Sequence, residues 1–183
     1  MRILGISGSP AERGSHYLLK QALEAASNKG AETEIINVTD YDLDVCQGCG
    51  RCLKKKECIL DDDLEKIGAK MLQAEGIIIA SPSYFGSIPG ALKNLMDRSR
   101  YLKMKDHALK DKFLGVVSTS GLKHGGAQSV IESIHRFGLL HAMLIVSPAG
   151  QPQTEANMVI ATSETDDGWR KIKDDKKAVK LAE

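Results

Sequence analysis

The chain has 183 residues, 42% of them hydrophobic, and a formal net charge of +1. That length supplies a substantial core for one domain, and the near-neutral balance argues against a general nucleic-acid or membrane-surface role. The longest apolar stretch, around residues 139–146, is too short and too interrupted to span a bilayer.

In chain order, Arg2–Ile6 is a short apolar run closed by Ser7-Gly8-Ser9-Pro10, the pattern of a central strand buried on both faces. Ser15–Ser27 carries Leu18, Leu19, Ala22, Leu23 and Ala26 at helical spacing. Glu32–Val38 alternates, is rich in β-branched residues and reads as a strand. Tyr41–Ile59 has little periodicity and reads as an insertion after the second strand. Asp61–Gln73 opens on three acidic residues that favour a helix N-terminus. Gly76–Ala80 is a buried strand, and Pro89–Tyr101 is a helix with Pro in its first turn. Phe113–Ser118, Gly126–Gly138 and His141–Val146 then read as strand, helix and fifth strand. In the tail, Trp169, Ile172, Lys176 and Val179 can share one stripe of a terminal helix. The reading therefore divides the chain into a domain over 1–150, with 41–59 inserted in it, and a C-terminal extension over 151–183.

Such alternation predicts an α/β fold, an open and doubly wound parallel sheet of five strands with helices on both faces. Ligands of these sheets bind beyond the carboxyl ends of the strands, which selects the loops Ser7–His16, Ser81–Ile88 and Ser118–Gly126. In the first, small residues let backbone N–H groups converge on an anion at the start of the following helix. Ser7, Ser9 and Ser15 can each donate to it, and Arg13 can add a charged hydrogen bond. Neither a Walker motif nor a G-x-G-x-x-G fingerprint is present, so a monophosphate is the expected anion; the plainer alternative is a Ser/Gly turn that caps a helix. The second loop offers the rings of Tyr84 and Phe85 beside Gly86 and Gly90. The third, Ser118-Thr-Ser-Gly-Leu-Lys-His-Gly-Gly126, offers hydroxyls and bare backbone of the kind the polar edge of a flavin needs.

All four cysteines of the chain, Cys46, Cys49, Cys52 and Cys58, lie in one C-x2-C-x2-C-x5-C window. The opening MRILGISGSP shows no signal peptide, so a reducing, cytoplasmic setting is expected, where free thiols serve as ligands or catalysts more often than as disulfides. Three ligands at x2 spacing favour an iron–sulfur cube over a single zinc ion; a structural zinc site and an unoccupied thiol loop are the alternatives. Lys54, Lys55 and Lys56 would partly offset the negative charge of a thiolate cluster. His107, His124, His135 and His141 have no metal-ligand spacing, Asp61–Asp63 reads as a helix cap, and Asp97-Arg98 reads as a packing or subunit contact.

The runs G-I-S-G-S-P and S-P-S-Y-F-G-S-I-P-G-A-L-K-N-L-M-D-R, with the four-cysteine loop between them, resemble the iron–sulfur flavoproteins. These are a branch of the NADPH-dependent FMN reductase group with a flavodoxin-like fold, and the likeness covers about residues 1–150. It implies strand order 2-1-3-4-5, one FMN, and one [4Fe–4S] cluster on Cys46, Cys49, Cys52 and Cys58. It implies a phosphate site at Ser7, Ser9, Ser15, His16 and Tyr17. The family often has Arg at the position of Ala11 and Asn-Thr at Ser15-His16, so Arg13 would supply the missing charge. The isoalloxazine would rest against Pro82, Ser83, Tyr84, Phe85, Gly86 and Ser87, with Ser118, Thr119, Ser120 and Gly125 nearby. The resemblance further implies an electron-transfer enzyme whose chemistry is carried by its cofactors, with a ferredoxin-like donor and oxygen, peroxide or a quinone as acceptor. A homodimer or homotetramer is expected, with no nucleic-acid or membrane partner. An NAD(P)H-dependent FMN or quinone reductase with a structural cysteine loop, or a non-enzymatic redox sensor, are the competing readings.

Overall fold

The computed structural model describes residues 1–148 and 158–183. Its main sheet runs in the order β2-β1-β3-β4-β5, all parallel: β2 (Glu32–Asn37), β1 (Arg2–Ser7), β3 (Gly76–Pro82), β4 (Phe113–Ser120) and β5 (Leu144–Ile145). This is the flavodoxin-like order. A sixth strand, β6 (Val159–Thr162), pairs parallel with the C-terminal half of β4, from Val117↔Val159 to Ser120↔Thr162.

Strand alternation sorts the apolar residues to the two faces. Leu4, Ile6, Ile77, Ile79, Leu114 and Val116 meet α3 (Leu64–Gln73), α4 (Gly90–Arg98) and α6 (Ala127–Leu140) in the larger core. Ala80, Val117, Val159 and Ala161 meet α1 (Gly14–Asn28) and the short α7 (Lys176–Ala182) in the smaller one. Each fully buried Leu or Ile contributes about 1.5–3 kcal/mol of transfer free energy, so both layers hold the sheet.

Several elements differ from the sequence reading, each for a local reason. The fifth strand is two residues long: His141 closes α6, Ala142 takes a left-handed turn at φ 58°, and pairing starts only at Leu144. The helix expected over Pro89–Tyr101 breaks at Ser99 into α4 and α5 (Arg100–Met104). There the Ser99 hydroxyl donates back to Met96 O at 2.8 Å and meets His141 Nε2 at 3.0 Å. The helix expected from Asp61 begins at Leu64, since the acidic run does more than cap it. Asp62 takes the N–H groups of Leu64 and Asp44 at 3.1 and 2.9 Å, and Asp63 takes that of Asp42 at 2.9 Å. The tail stripe is not one helix: Trp169 lies on a hairpin of β7 (Glu164–Thr165) and β8 (Gly168–Trp169), and Ile172 lies in a 3-10 turn before α7. The cysteine segment is irregular except for α2 (Arg51–Lys55). No helix among the described residues is long and apolar enough to cross a membrane.

Candidate functional site

Chain order reverses at β1, which has β2 on one side and β3 on the other, so a crevice opens at the carboxyl ends of the strands. Three hydrogen bonds lock the loops there. Gly8 N donates to Ala80 O at 2.8 Å, Ser83 N to Thr119 O at 2.7 Å, and Ser83 Oγ to Gly125 O. The first loop therefore hangs from β3, and the second is tied to the third.

In the first loop, Ser7, Ser15 and His16 are buried, and among the described residues neither hydroxyl nor either ring nitrogen of His16 has a hydrogen-bond partner. His16 Nε2 lies 3.7 Å from the Glu12 carboxylate, too far for a hydrogen bond. The Ser118 hydroxyl, in the C-terminal half of β4, is likewise buried and has no partner among the described residues. Helix α1 starts at Gly14, its N-cap residue Arg13 makes no capping hydrogen bond through its side chain, and Arg13 is exposed. Unpaired buried donors are costly, about 1–3 kcal/mol each. Three of them beside an uncapped helix N-terminus fit an anion such as a phosphate monoester. Two expected residues behave differently. Ser9 turns its hydroxyl to Ala11 O at 2.6 Å, which shapes the loop, and the Tyr17 hydroxyl faces Gln21 Oε1 at 3.4 Å, one turn along the helix.

The second loop is a tight turn. Tyr84 and Ser87 exchange backbone hydrogen bonds at 2.8 and 3.1 Å, with Phe85 and Gly86 both at positive φ, 54° and 81°. Such a turn favours glycine at both central positions, so Phe85 is held in a strained conformation with its ring fully exposed. Pro82 ends β3 opposite Thr119, and Tyr84, Gly86 and Ser87 are exposed. In the third loop Thr119 and Ser120 are buried, and the Ser120 hydroxyl donates to Leu122 O at 2.6 Å. Gly126, at φ 84°, lies so close to the second loop that a Cβ there would fall 2.6 Å from Gly86 Cα. The tail braces this loop from outside. Ser163 N and Glu164 N donate to Ser120 O and Gly121 O at 3.1 and 2.8 Å, and Glu164 Oε2 accepts Lys123 N at 2.8 Å.

The four cysteines line one concavity with Arg98 and Arg100 and form no disulfide. Cys46 and Cys49 are exposed; Cys52 and Cys58 are half-buried. Among the described residues, no three His, Cys, Asp or Glu side chains are gathered as a metal-ion site. A tetrahedral ion with bonds of about 2.3 Å needs its sulfurs in mutual contact, whereas a cube with one thiolate on each corner iron spreads them apart. Four thiols line the concavity, and its one carboxylate, Asp97, is paired with Lys93, a donor set that suits iron–sulfur ligation.

Helices α4 and α5 hold this loop through residues the sequence reading did not assign to the site. Asn94 accepts Cys46 N at 3.1 Å and donates to Asp44 O at 2.8 Å. Arg98 donates to Asp44 O at 2.9 Å, to Cys58 Sγ at 3.3 Å and to both carboxylate oxygens of Asp62. Arg100 Nε donates to Cys52 Sγ at 3.2 Å. Burial is the largest single influence on Asp62 and on Arg98 and opposes the charge on each, but their mutual hydrogen bonds, together with the N–H groups of Leu64 and Asp44 on Asp62 and the Cys58 sulfur on Arg98, outweigh it, so the carboxyl titrates below its usual value and the guanidinium above its own. The i,i+4 spacing of Asn94 and Arg98, two polar residues on one helix face, was the signal available in the sequence.

Residues 1–152 match the family model described as NADPH-dependent FMN reductase. An iron–sulfur flavoprotein of Archaeoglobus fulgidus is 39% identical over 182 residues, covering 100% of this chain and 90% of the relative. One of Methanocaldococcus jannaschii is 42% identical over 147 residues, covering 80% of this chain and 76% of the relative. Among solved structures, a flavone reductase superposes with a TM-score of 0.74 at 18% identity, over 100% of this chain and 59% of that one, and supports the fold. The chain belongs to the NADPH-dependent FMN reductase family, in its iron–sulfur flavoprotein branch, and is a flavin-dependent oxidoreductase.

Proposed function

We propose that the protein carries one FMN and one [4Fe–4S] cluster and passes electrons from a ferredoxin-like donor to a small acceptor, namely oxygen, peroxide or a quinone. The observation that carries this reading is the pairing of two unlike sites in one subunit. One is a cradle of unpaired buried hydroxyls at the sheet edge. The other is a concavity lined by every thiol of the chain. When bound, the two groups supply exchange between a carrier of one or two electrons and a carrier of one.

On this reading Ser7, Ser15 and His16 donate to the phosphate, Arg13 closes over it from solvent, and Ser9 and Tyr17 shape its surroundings. Pro82, Ser83, Tyr84, Phe85, Gly86 and Ser87 form one wall for the ring system. Ser118, Thr119, Ser120 and Gly125 supply polar groups along its edge. Cys46, Cys49, Cys52 and Cys58 each ligate one iron. No protein nucleophile or general base is required, and the chain's work is to bind, orient and tune. A homodimer or homotetramer in the cytoplasm, with the cysteine loop reaching toward a neighbour's flavin, completes the proposal.

Protein isolated without oxygen should be coloured, with FMN, iron and sulfide in stoichiometric amounts. Stopped-flow bleaching by reduced ferredoxin should be faster than bleaching by NADPH. The reverse order favours a pyridine-nucleotide reductase with a structural cysteine loop, and colourless protein that refuses added FMN sinks the proposal.

A further inference from the structure

Two arginines meet the cysteine sulfurs, and they are not equivalent. The Arg98 side chain is 1% exposed and holds the 3% exposed Asp62 carboxylate on the same guanidinium that reaches Cys58. Its charge is matched before it meets the sulfur, so it serves as a latch for the loop. Arg100 reaches Cys52 through Nε and has no carboxylate within ion-pair distance among the described residues; Asp97, the acidic residue nearest in sequence, is paired with Lys93. Arg100 is also held by helix α5, and Cys52 sits in α2, which packs against it. The lysine run is placed differently. Lys54, Lys55 and Lys56 are all exposed, Lys56 pairs with Asp106 at 3.3 Å, and none of the three donates to a sulfur.

We propose that Arg100, through its charged N–H···S hydrogen bond to Cys52, is the residue that raises the reduction potential of a cluster held by this loop, and that the neighbouring lysines contribute little. The inference rests on the reading that the four cysteines carry an iron–sulfur cluster. Reduction adds one electron and one negative charge to a group already made negative by its thiolates. A hydrogen-bond donor aimed at a ligand sulfur stabilises that added charge and shifts the potential upward. Exposed ammonium groups without a contact are screened by water and salt.

The test is a potentiometric titration of anaerobically reconstituted protein with dithionite as reductant, following the reduced cluster by electron paramagnetic resonance. At the midpoint of the unaltered protein, the ratio of reduced to oxidised cluster in Arg100→Gln should be about tenfold lower, a midpoint about 59 mV more negative for a one-electron couple. Arg100→Lys should fall between the two, and Lys55→Gln should match the unaltered protein. An unmoved midpoint in Arg100→Gln, or an equal shift in Lys55→Gln, overturns the proposal. Should Arg100→Gln assemble no cluster, Arg100→Lys carries the test, since it keeps the charge and drops the Nε–H; a midpoint equal to that of the unaltered protein then overturns the role of the hydrogen bond. Iron and sulfide counts separate the underlying reading from this one. If the unaltered protein takes up neither, the cluster itself is wrong; if it loads fully and the midpoints coincide, only the role of Arg100 is.

Discussion

Arg98 holds the carboxylate of Asp62 by both of its terminal nitrogens, and the two side chains are almost wholly buried beneath the cysteine loop. The pair joins α4 to the start of α3, and through Asp44 O and Asp44 N it fixes the strand of chain that leads into Cys46.

Breaking that pair from one side leaves a charge buried without a partner. Asp62→Ala should therefore cost about 3–5 kcal/mol of stability, read from urea unfolding of the protein. It should also speed proteolysis within residues 43–60 ahead of the rest of the chain. Loss of the same size in the double variant with Arg98→Met would show that the ion pair itself is not the cause, since the double variant buries no lone charge.

The fold was legible because its central strands, β1, β3 and β4, are largely buried on both faces. Runs such as Gly76–Ala80 admit few other readings, and their spacing fixes the β–α alternation. The three site loops followed from the sheet rule. The parts that were not legible depend on partners far away in sequence. Asp62 reads locally as a helix cap, yet its second oxygen serves Asp44, 18 residues earlier. Arg98 reads as a packing residue, yet it meets Cys58, 40 residues earlier. Strand β6 could not be seen because four residues, Val159–Thr162, carry no periodic pattern long enough to separate from a loop, and their strand character comes from the free edge of β4.

An unpaired buried hydroxyl has a recognisable signature. If Ser15 waits for a phosphate, Ser15→Ala removes an unsatisfied group from the flavin-free protein and should leave its thermal midpoint unchanged or slightly higher. The same change should weaken FMN binding about 10–100-fold, the equivalent of a hydrogen bond to a charged group worth about 1.5–3 kcal/mol. Quenching of FMN fluorescence measures the second quantity. A variant that is destabilised without FMN, and binds it normally, would show that Ser15 serves only the fold.

Gly68 lies in the middle of α3, where Ala would ordinarily gain about 1 kcal/mol in helix propensity. Here a Cβ would fall 1.8 Å from the hydroxyl oxygen of buried Tyr101, an overlap no small shift relieves. Overpacking of this kind costs about 1–3 kcal/mol, so Gly68→Ala should destabilise by the net of the two. The hydroxyl is the obstacle, and burial pushes its pKa up to about 12, so it stays neutral throughout. In a Tyr101→Phe background the closest ring atom is 3.1 Å away, and Gly68→Ala should become near neutral. A double-mutant cycle in urea checks that the penalty disappears.

Burial, with Lys103 and His107 nearby, pushes the pKa of His141 down to about 4 from an ordinary 6.5. The folded protein keeps this ring neutral against Ser99, while the unfolded chain takes up a proton as pH falls below 6.5. Stability from this group is thus fully present above about pH 6.5. It declines as pH falls and levels off near pH 4, a total of about 3 kcal/mol at 1.36 kcal/mol per pH unit. His141→Gln should flatten that part of the curve. Urea midpoints at pH 7 and pH 4.5 for both proteins test it, and parallel losses would assign the acid sensitivity to other groups.

Gly126 decides whether the second and third loops can close on each other. Its φ of 84° costs a side-chain-bearing residue about 1–2 kcal/mol. The Cβ of an alanine would meet Gly86 Cα at 2.6 Å and Gly86 O at 2.8 Å, backbone atoms that cannot rotate away. Gly126→Ala should therefore push the Tyr84–Ser87 turn outward and weaken FMN binding at least tenfold, with a fold stability loss of about 1–3 kcal/mol. Gly90→Ala is the matched control: that glycine begins α4, and nothing lies within 4 Å of its would-be Cβ. It should bind FMN as the unaltered protein does. If Gly126→Ala also binds normally, the contact between the two turns does not shape the flavin cleft, and the wall assigned to Tyr84–Ser87 must be held by Ser83 and Gly125 alone.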